Sequence, residues 1–173
     1  MTMIRSFNCI LPNEQHPLPI ALILGSLPSV TSLGEQQYYA HPHNAFWRII
    51  EALFANGTSC NYAQRIELLQ NNRIALWDVI ASAQRHGSLD SAIQHETVIP
   101  NDIIGLMSAY PSIQTIYLNG GTAATLFKRH IAKQLNPRVH IVPLPSTSPA
   151  NARMRFEEKL EKWGVVKENC RAQ

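Results

Sequence analysis

Four short apolar runs, each closed by a polar or glycine-bearing loop, constrain this chain more than any other feature. They are IALIL (Ile20 to Leu24), RIALWDVI with its apolar stretch ending near Trp77-Asp78, IQTIYL (Ile113 to Leu118) and RVHIV (residues 138 to 142). Each is short and rich in apolar and β-branched residues, the pattern of a strand buried on both faces. Between and after them lie stretches with helical spacing. One runs from Asn44 to a stop at Asn56-Gly57, with Phe46, Trp47, Ile50 and Leu53 or Phe54 on one stripe. Others run over about 64 to 71, from Pro100-Asn101 to about Tyr110, from Thr122 to Leu135, and to about Trp163 at the end. Strand then helix, repeated four times, predicts an α/β fold: a three-layer α/β/α sandwich around a central four-stranded, mainly parallel sheet.

Two connections are unusually long, Ser26 to His43 and the thirty or so residues after Asp78 that include ASAQRHGSLDSAI. Both read as polar loops, and loops of that length in a compact domain are usually functional. In open parallel sheets ligands bind beyond the carboxyl ends of the strands. GSLPS follows the first strand, Asp78 ends the second, Asn119-Gly120-Gly121 closes the third and LPSTSPANAR follows the fourth. The functional site is expected where these four segments converge.

At 173 residues and 45% hydrophobic the chain carries enough apolar surface for one core, so residues 1–173 read as a single domain. No apolar run approaches the roughly 20 residues of a membrane span. The start, MTMIRSFNCILPNEQHP, places an acid and prolines close behind its short apolar patch, which reads against a signal peptide. Cys9, Cys60 and Cys170 are odd in number and far apart, so the expectation is a reduced, cytoplasmic protein. Residues 1–102 hold five Lys or Arg against eight Asp or Glu, whereas residues 103–156 hold six Lys or Arg and no acid. Lys128, Arg129, Lys133, Arg138, Arg153 and Arg155 therefore suit a surface that meets a polyanion, although the first three also suit an ordinary solvated helix face.

Several chemistries are excluded by what the loops lack. GSLPS has neither the glycines nor the lysine of a phosphate-binding loop, and no Gly-x-Gly-x-x-Gly follows a strand, so no cofactor is implied. His41 and His43 flank Pro42 without a further ligand pair, so no metal site is expected. Neither Ser26 nor Ser29 stands in the Gly-x-Ser-x-Gly elbow of a serine hydrolase. What remains is the ring-rich stretch Tyr38 to Trp47, YYAHPHNAFW, beside amides, one carboxylate and a positive rim. Aromatic rings stack on bases with little sequence preference, at about 1–3 kcal/mol per base, so the site suits a nucleobase.

The segments GSLPS, YYAHPHNAFW and ALWDVIASAQRHGSLDSAI resemble the uracil-DNA glycosylase superfamily, and among its branches the hypoxanthine-DNA (deoxyinosine) glycosylases, from about Leu24 to the last helix. The resemblance implies a monofunctional DNA glycosylase that hydrolyses the N-glycosidic bond of hypoxanthine, and of uracil or xanthine, in double-stranded DNA. The protein would be a monomer and leave an abasic site. Where other branches carry a catalytic Asp or Asn two positions after the first Gly, this chain has Leu27, and where they carry a His before Pro-Ser it has Leu144. Those two changes leave open a base-binding module without catalysis. A hydrolase of free nucleosides is a further alternative, one that would not need the basic stretch.

The resemblance makes Asn44 the candidate catalytic residue. An oxocarbenium-like sugar needs stabilisation more than it needs a strong base, and an amide oxygen can hold water beneath C1′ or stabilise the sugar's charge. Asn44 is equally a candidate cap for a helix beginning at Ala45. Gly25, Ser26, Tyr39, Asp78 and Asn119 are the candidate base-binding positions. Tyr39 would stack on the base, with Tyr38, Phe46 and Trp47 packed behind it. A carboxylate at Asp78 would accept from N1–H of hypoxanthine and repel the N1 lone pair of adenine; Asp78 is also placed to cap a turn. Asn119 either bonds base or sugar or turns the chain before Gly120. LPSTSPANAR would press the DNA backbone and push a wedge into the vacated stack. Ser146, Ser148 and Asn151 would serve phosphate contacts there, and Arg153 would fill the gap or bind phosphate.

Overall fold

The computed structural model describes residues 2–171. In chain order its elements are β1 (Thr2–Arg5), β2 (Ala21–Gly25), α1 (Val30–Glu35), α2 (Phe46–Phe54), α3 (Tyr62–Asn71), β3 (Ile74–Asp78), β4 (Ile80–Arg85), β5 (Ile99–Pro100), α4 (Ile103–Ala109), β6 (Thr115–Asn119), α5 (Gly121–His130), β7 (His140–Leu144) and α6 (Phe156–Arg171). The main sheet has the order β3-β2-β6-β7 with every pairing parallel. β2 and β6 are central, and every residue of both is buried, which is why they read as unbroken apolar runs. β7 is an edge strand with Pro143 in it, a position that needs no ladder donor.

Helices cover both faces of this sheet. On one face α2, α3 and α6 pack Phe46, Ile50, Leu69 and Trp163 against Ile23, Leu76 and Tyr117. On the other, α4 and α5 pack Ile103, Leu126 and Phe127 against Leu22, Leu24 and Ile116. α2 shows how the pattern works: Phe46, Ile49, Ile50 and Leu53 are buried, while Arg48 points outward over the ring of Phe156 at 4.1 Å. α3 starts with a capping box in which Asn61 and Gln64 satisfy each other's backbone amides. The three-layer parallel fold expected from the apolar runs is the one observed.

Three segments depart from the sequence reading. Residues after Asp78 are not a loop: β4 pairs antiparallel with β1 and with β5 to make a second, three-stranded sheet. The signal was weak because β4 is IASAQR, whose buried positions are Ile80, Ala83 and Arg85. A buried arginine looks like a surface residue in sequence. The long connection from Ser26 contains α1, capped by Ser29 Oγ accepting from Ser32 N. Finally, α6 runs past Trp163 to Arg171, and β7 begins at His140.

Candidate active site

Parallel register aligns the carboxyl ends of the central strands. Gly25 pairs with Asp78, Leu24 with Leu118, and Asn119 with Leu144. Gly25, Asp78 and Asn119 therefore stand in a row across β2, β3 and β6, at the end where ligand sites form in such sheets. They open into a cavity of about 620 Å³. Tyr39, Asn44, Ser26, Ser146, Ser148 and Asn151 line the same cavity. Of the ten candidate site residues only Arg153 lies outside its lining; it is exposed on the 145–153 loop.

Gly25 acts through what it lacks. A Cβ there would stand 2.6 Å from Asp78 Oδ1 and 2.7 Å from the Tyr39 hydroxyl. Only glycine lets the carboxylate and the phenol approach over β2. Tyr39 itself takes a left-handed conformation, φ 54°, which turns its ring onto Phe46 at 4.1 Å and 26°. Tyr38, by contrast, is buried, with its hydroxyl donating to Asn8 O at 3.2 Å. Phe46 and Trp47 lie in the core behind Tyr39, and Trp47 Nε1 donates to Tyr38 O at 2.7 Å.

Asn119 is buried, and its amide is engaged by the protein. Nδ2 donates to the Tyr39 hydroxyl at 3.1 Å and to Thr147 Oγ1 at 2.9 Å, while Oδ1 accepts from Thr147 N at 3.0 Å. Thr147 O in turn accepts from Ala45 N at 2.9 Å. One buried asparagine thus ties the Tyr39 loop, the end of β6 and the 145–153 loop together. Burial of the Tyr39 phenol, reinforced by the nearby Asp78 charge, raises its pKa and keeps it protonated.

Asn44 is not the helix cap, a position that falls to Ala45. The helix begins one residue later than expected, and Asn44 Oδ1 accepts from Phe46 N at 2.9 Å, bracing the helix start. The side chain also faces the cavity. Its NH₂ group has no hydrogen bond within the described protein, which leaves that end of the amide open to a ligand. His41 is a turn residue: its Nδ1 accepts from His43 N at 3.2 Å.

Asp78 is 3% exposed, low enough that its charge is costly. Burial raises its pKa to about 7, Asp90 adds to the rise, and the Ser6 hydrogen bond and Arg85 oppose it. Ser6 Oγ donates to Asp78 Oδ2 at 2.7 Å, so a residue just beyond β1 orients the carboxylate. Among the described residues no donor reaches Oδ1, the oxygen that faces Gly25.

Sequence reasoning missed a second polar cluster on this wall. Asp90 lines the cavity and accepts from Ser26 Oγ with both carboxylate oxygens at 2.8 Å. Arg85 is fully buried; Nε donates to Gly87 O at 2.8 Å, Nη2 donates to Pro28 O, and Nη1 stands 3.9 Å from Asp90 Oδ1 without a hydrogen-bond partner. Burial raises the pKa of Asp90 as well, with the Ser26 bond and Arg85 opposing it. The only clue in sequence was that GSLDSAI follows a strand that had itself gone unread.

The 145–153 loop is shaped by its own side chains. Ser146 Oγ accepts from Ser148 N and Ser148 Oγ from Ala150 N, both at 3.2 Å, and Asn151 Nδ2 donates to Ser146 O at 3.1 Å. The serine hydroxyl protons stay free for an acceptor such as phosphate. Gly120, at φ 95°, lets this loop approach, because a Cβ there would meet Ser146 Cβ at 2.8 Å. Trp163 Nε1 donates to Pro145 O at 3.0 Å and fixes the base of the loop to α6.

The basic residues divide. α5 starts at the cavity and runs away from it for about 15 Å at 1.5 Å per residue, so Lys128 and Arg129 sit in its last turn, at the far end of the sheet. Lys133 and Arg138 lie in the connection that leads back to the start of β7, also at that end. Their placement matches a favourable interaction with the helix dipole rather than a surface around the cavity. Only Arg153 and Arg155 remain on the cavity side, and Arg155 Nε lies 3.6 Å from Glu158.

A profile of the Uracil DNA glycosylase superfamily matches residues 15–167, nearly the whole chain. The protein belongs to the uracil-DNA glycosylase superfamily. A hypoxanthine DNA glycosylase of Methanosarcina acetivorans is 38% identical over 146 residues, which cover 84% of this chain and 88% of that one. A hypoxanthine DNA glycosylase of Methanosarcina barkeri is 39% identical over 100 residues, 57% of this chain and 62% of the relative. A solution NMR structure from M. acetivorans, provisionally described as a uracil DNA glycosylase, superposes with a TM-score of 0.79 at 33% identity, covering 98% of this chain and 99% of the other. This superfamily member is thus similar to the NMR structure in fold and to all three in sequence.

Proposed function

We propose that the protein is a monofunctional DNA glycosylase that removes a deaminated base, hypoxanthine first among them, from double-stranded DNA and leaves an abasic site. The observation that carries this reading is the convergence of Tyr39, Asn44 and Asp78 on one cavity at the carboxyl end of the sheet. A base inside a duplex cannot reach such a hollow, so the nucleotide is extruded, least expensively where pairing is already poor. The exposed face of Tyr39, backed by Phe46, stacks on the base. Asp78 Oδ1 accepts from its ring N–H, and an adenine lone pair meets repulsion there instead. Asn119 holds Tyr39 and the 145–153 loop in place, and Ser26 holds Asp90.

As the N-glycosidic bond lengthens, positive charge develops on the sugar and negative charge on the base. Asn44 lines the cavity, with its amide oxygen bonded to Phe46 N and its NH₂ group free among the described residues. It supplies an oriented dipole and a hydrogen bond for the sugar or for water, without accepting a proton. Ser146, Ser148, Asn151 and Arg153 hold phosphates on either side of the extruded nucleotide. We propose further that it acts in the cytoplasm, where its three unpaired cysteines would stay reduced, as a monomer and without a cofactor.

The test is direct. Purified protein is incubated with duplexes holding one hypoxanthine, uracil or xanthine, and alkali then cuts the strand at abasic sites. Strand cleavage at hypoxanthine is expected, fastest of the three; intact strands at all three lesions would reject the proposal.

A further inference from the structure

The main sheet ends on two unlike edges. At β3 the chain covers its own edge: Ile10 N donates to Leu76 O at 2.8 Å and Leu76 N to Ile10 O at 2.9 Å, an antiparallel bridge from the segment after β1. At β7 no strand stands on the outer side. His140 N donates to Gln114 O at 2.8 Å and Leu144 O accepts from Gly120 N at 3.0 Å, which fixes the phase of the ladder. Alternate residues of a parallel strand face the same neighbour, so His140, Val142 and Leu144 turn their backbone groups to β6. Ile141 N–H, Ile141 C=O and Pro143 C=O point outward, with no partner among the described residues. Proteins ordinarily block such edges, and here the proline shortens the edge without closing it.

What adjoins this edge is charge. Val142 and Leu144 pack with the α2 and α6 side, so strand alternation turns Ile141 and Pro143 to the α5 side, where Ile141 is 37% exposed. α5 packs against β7 and carries Lys128 and Arg129 in its last turn; Lys133 and Arg138 follow in the connection that enters β7. All four are exposed, none stands in an ion pair among the described residues, and residues 103–156 contain no acid. The dipole of α5 accounts for cations in its last turn and not for Lys133 and Arg138 beyond it. We propose that the outer edge of β7 docks an extended acidic segment of a partner protein, which adds to the sheet as a fifth strand. Its N–H groups donate to Ile141 O and Pro143 O, its carbonyl accepts from Ile141 N, and its carboxylates meet the four cations. A nucleic acid fits less well, because the two outward carbonyls repel phosphate oxygens and Pro143 has no N–H to offset them. None of these residues lines the cavity, so the surface stands apart from the base chemistry.

The probe is a short peptide of alternating threonine and valine with an acidic run at one end, made with the run first and with the run last because the edge accepts either strand direction. It is titrated into isotope-labelled protein and followed by amide NMR shifts. One of the two orders is expected to shift the amide of Ile141 and those at the end of α5. The joint variant Lys128→Gln, Arg129→Gln, Lys133→Gln, Arg138→Gln is expected to bind that peptide at least ~10-fold more weakly, with its amide spectrum elsewhere unchanged. Methylating the peptide's backbone nitrogens, or replacing its acidic run by lysines, is expected to abolish binding to the wild type, a check that needs no variant to fold. No shift at Ile141 with either order, equal affinity for the variant or for the lysine peptide, or stronger shifts of the same amides by oligothymidylate would overturn the proposal, the last by making the surface one for nucleic acid.

Discussion

On one wall of the cavity the amide of Asn119 and the backbone of Thr147 are fully paired with each other, with Tyr39 and with Ala45. On the other wall the buried carboxylate of Asp78 stands beside the partly exposed one of Asp90, and Arg85 Nη1 lies 3.9 Å from Asp90 without a hydrogen bond. The first wall has little hydrogen-bonding capacity left to give and is built to hold shape. The second retains unsatisfied capacity, at Asp78 Oδ1 above all, and on the proposed reading it recognises the base. A buried polar network that is complete rigidifies its surroundings, while an incomplete one waits for a ligand.

The contrast is sharpest at Asn44, the member of the first wall with a free amide group. Asn44→Ala is expected to reduce single-turnover cleavage of hypoxanthine by at least ~100-fold while leaving duplex affinity nearly unchanged. Cleavage at the wild-type rate would move Asn44 to a purely structural role. Next in size, Asn119→Ala should lower folding stability by about 2 kcal/mol, because it strands Thr147 N and the Tyr39 hydroxyl in a dry site. Denaturant unfolding measures this; an unchanged midpoint would show that the first wall is not held as described.

The second wall is tested at Asp78. Asp78→Asn offers both a donor and an acceptor, so discrimination between hypoxanthine and adenine should fall by ~10-fold or more in competitive cleavage. Its pH behaviour follows from the raised pKa of about 7. Wild-type cleavage of hypoxanthine should rise as pH climbs through about 7 and Asp78 ionises, and the variant should lack that step. Stability runs the opposite way. The fold favours the protonated acid, so the wild type loses stability as pH rises from the ordinary carboxylate range towards about 7, and Asp78→Asn should flatten that slope in thermal unfolding. The smallest effect is expected at Arg153, which sits beyond both walls. Arg153→Ala should weaken binding to lesion and undamaged duplex alike, by a few-fold, and reduce the salt slope by about 1. A lesion-specific loss would place Arg153 inside the recognition machinery.

How much was legible follows the same division. The parallel sheet was readable because β2, β3 and β6 are buried on both faces and must be continuously apolar. Its strand ends then located the cavity, and nine of the ten candidate residues line it. The second sheet was not readable, since β1 buries only Ile4 and β4 buries an alanine and an arginine where a strand pattern wants larger apolar side chains. Asp90 and Arg85 were lost with it. Charge was legible only in part: composition counts Lys128, Arg129, Lys133 and Arg138 with Arg153, whereas α5 and the connection after it carry the first four away from the cavity, as the alternative of a solvated helix face had allowed for the first three.

On the proposed reading, the Ser6 hydroxyl on Asp78 brings the segment just after β1 into the choice of base, although β1 contributes nothing to the four-stranded sheet. A change at Ser6 alone would leave β1 paired with β4, yet free the carboxylate on which the proposed choice of base depends.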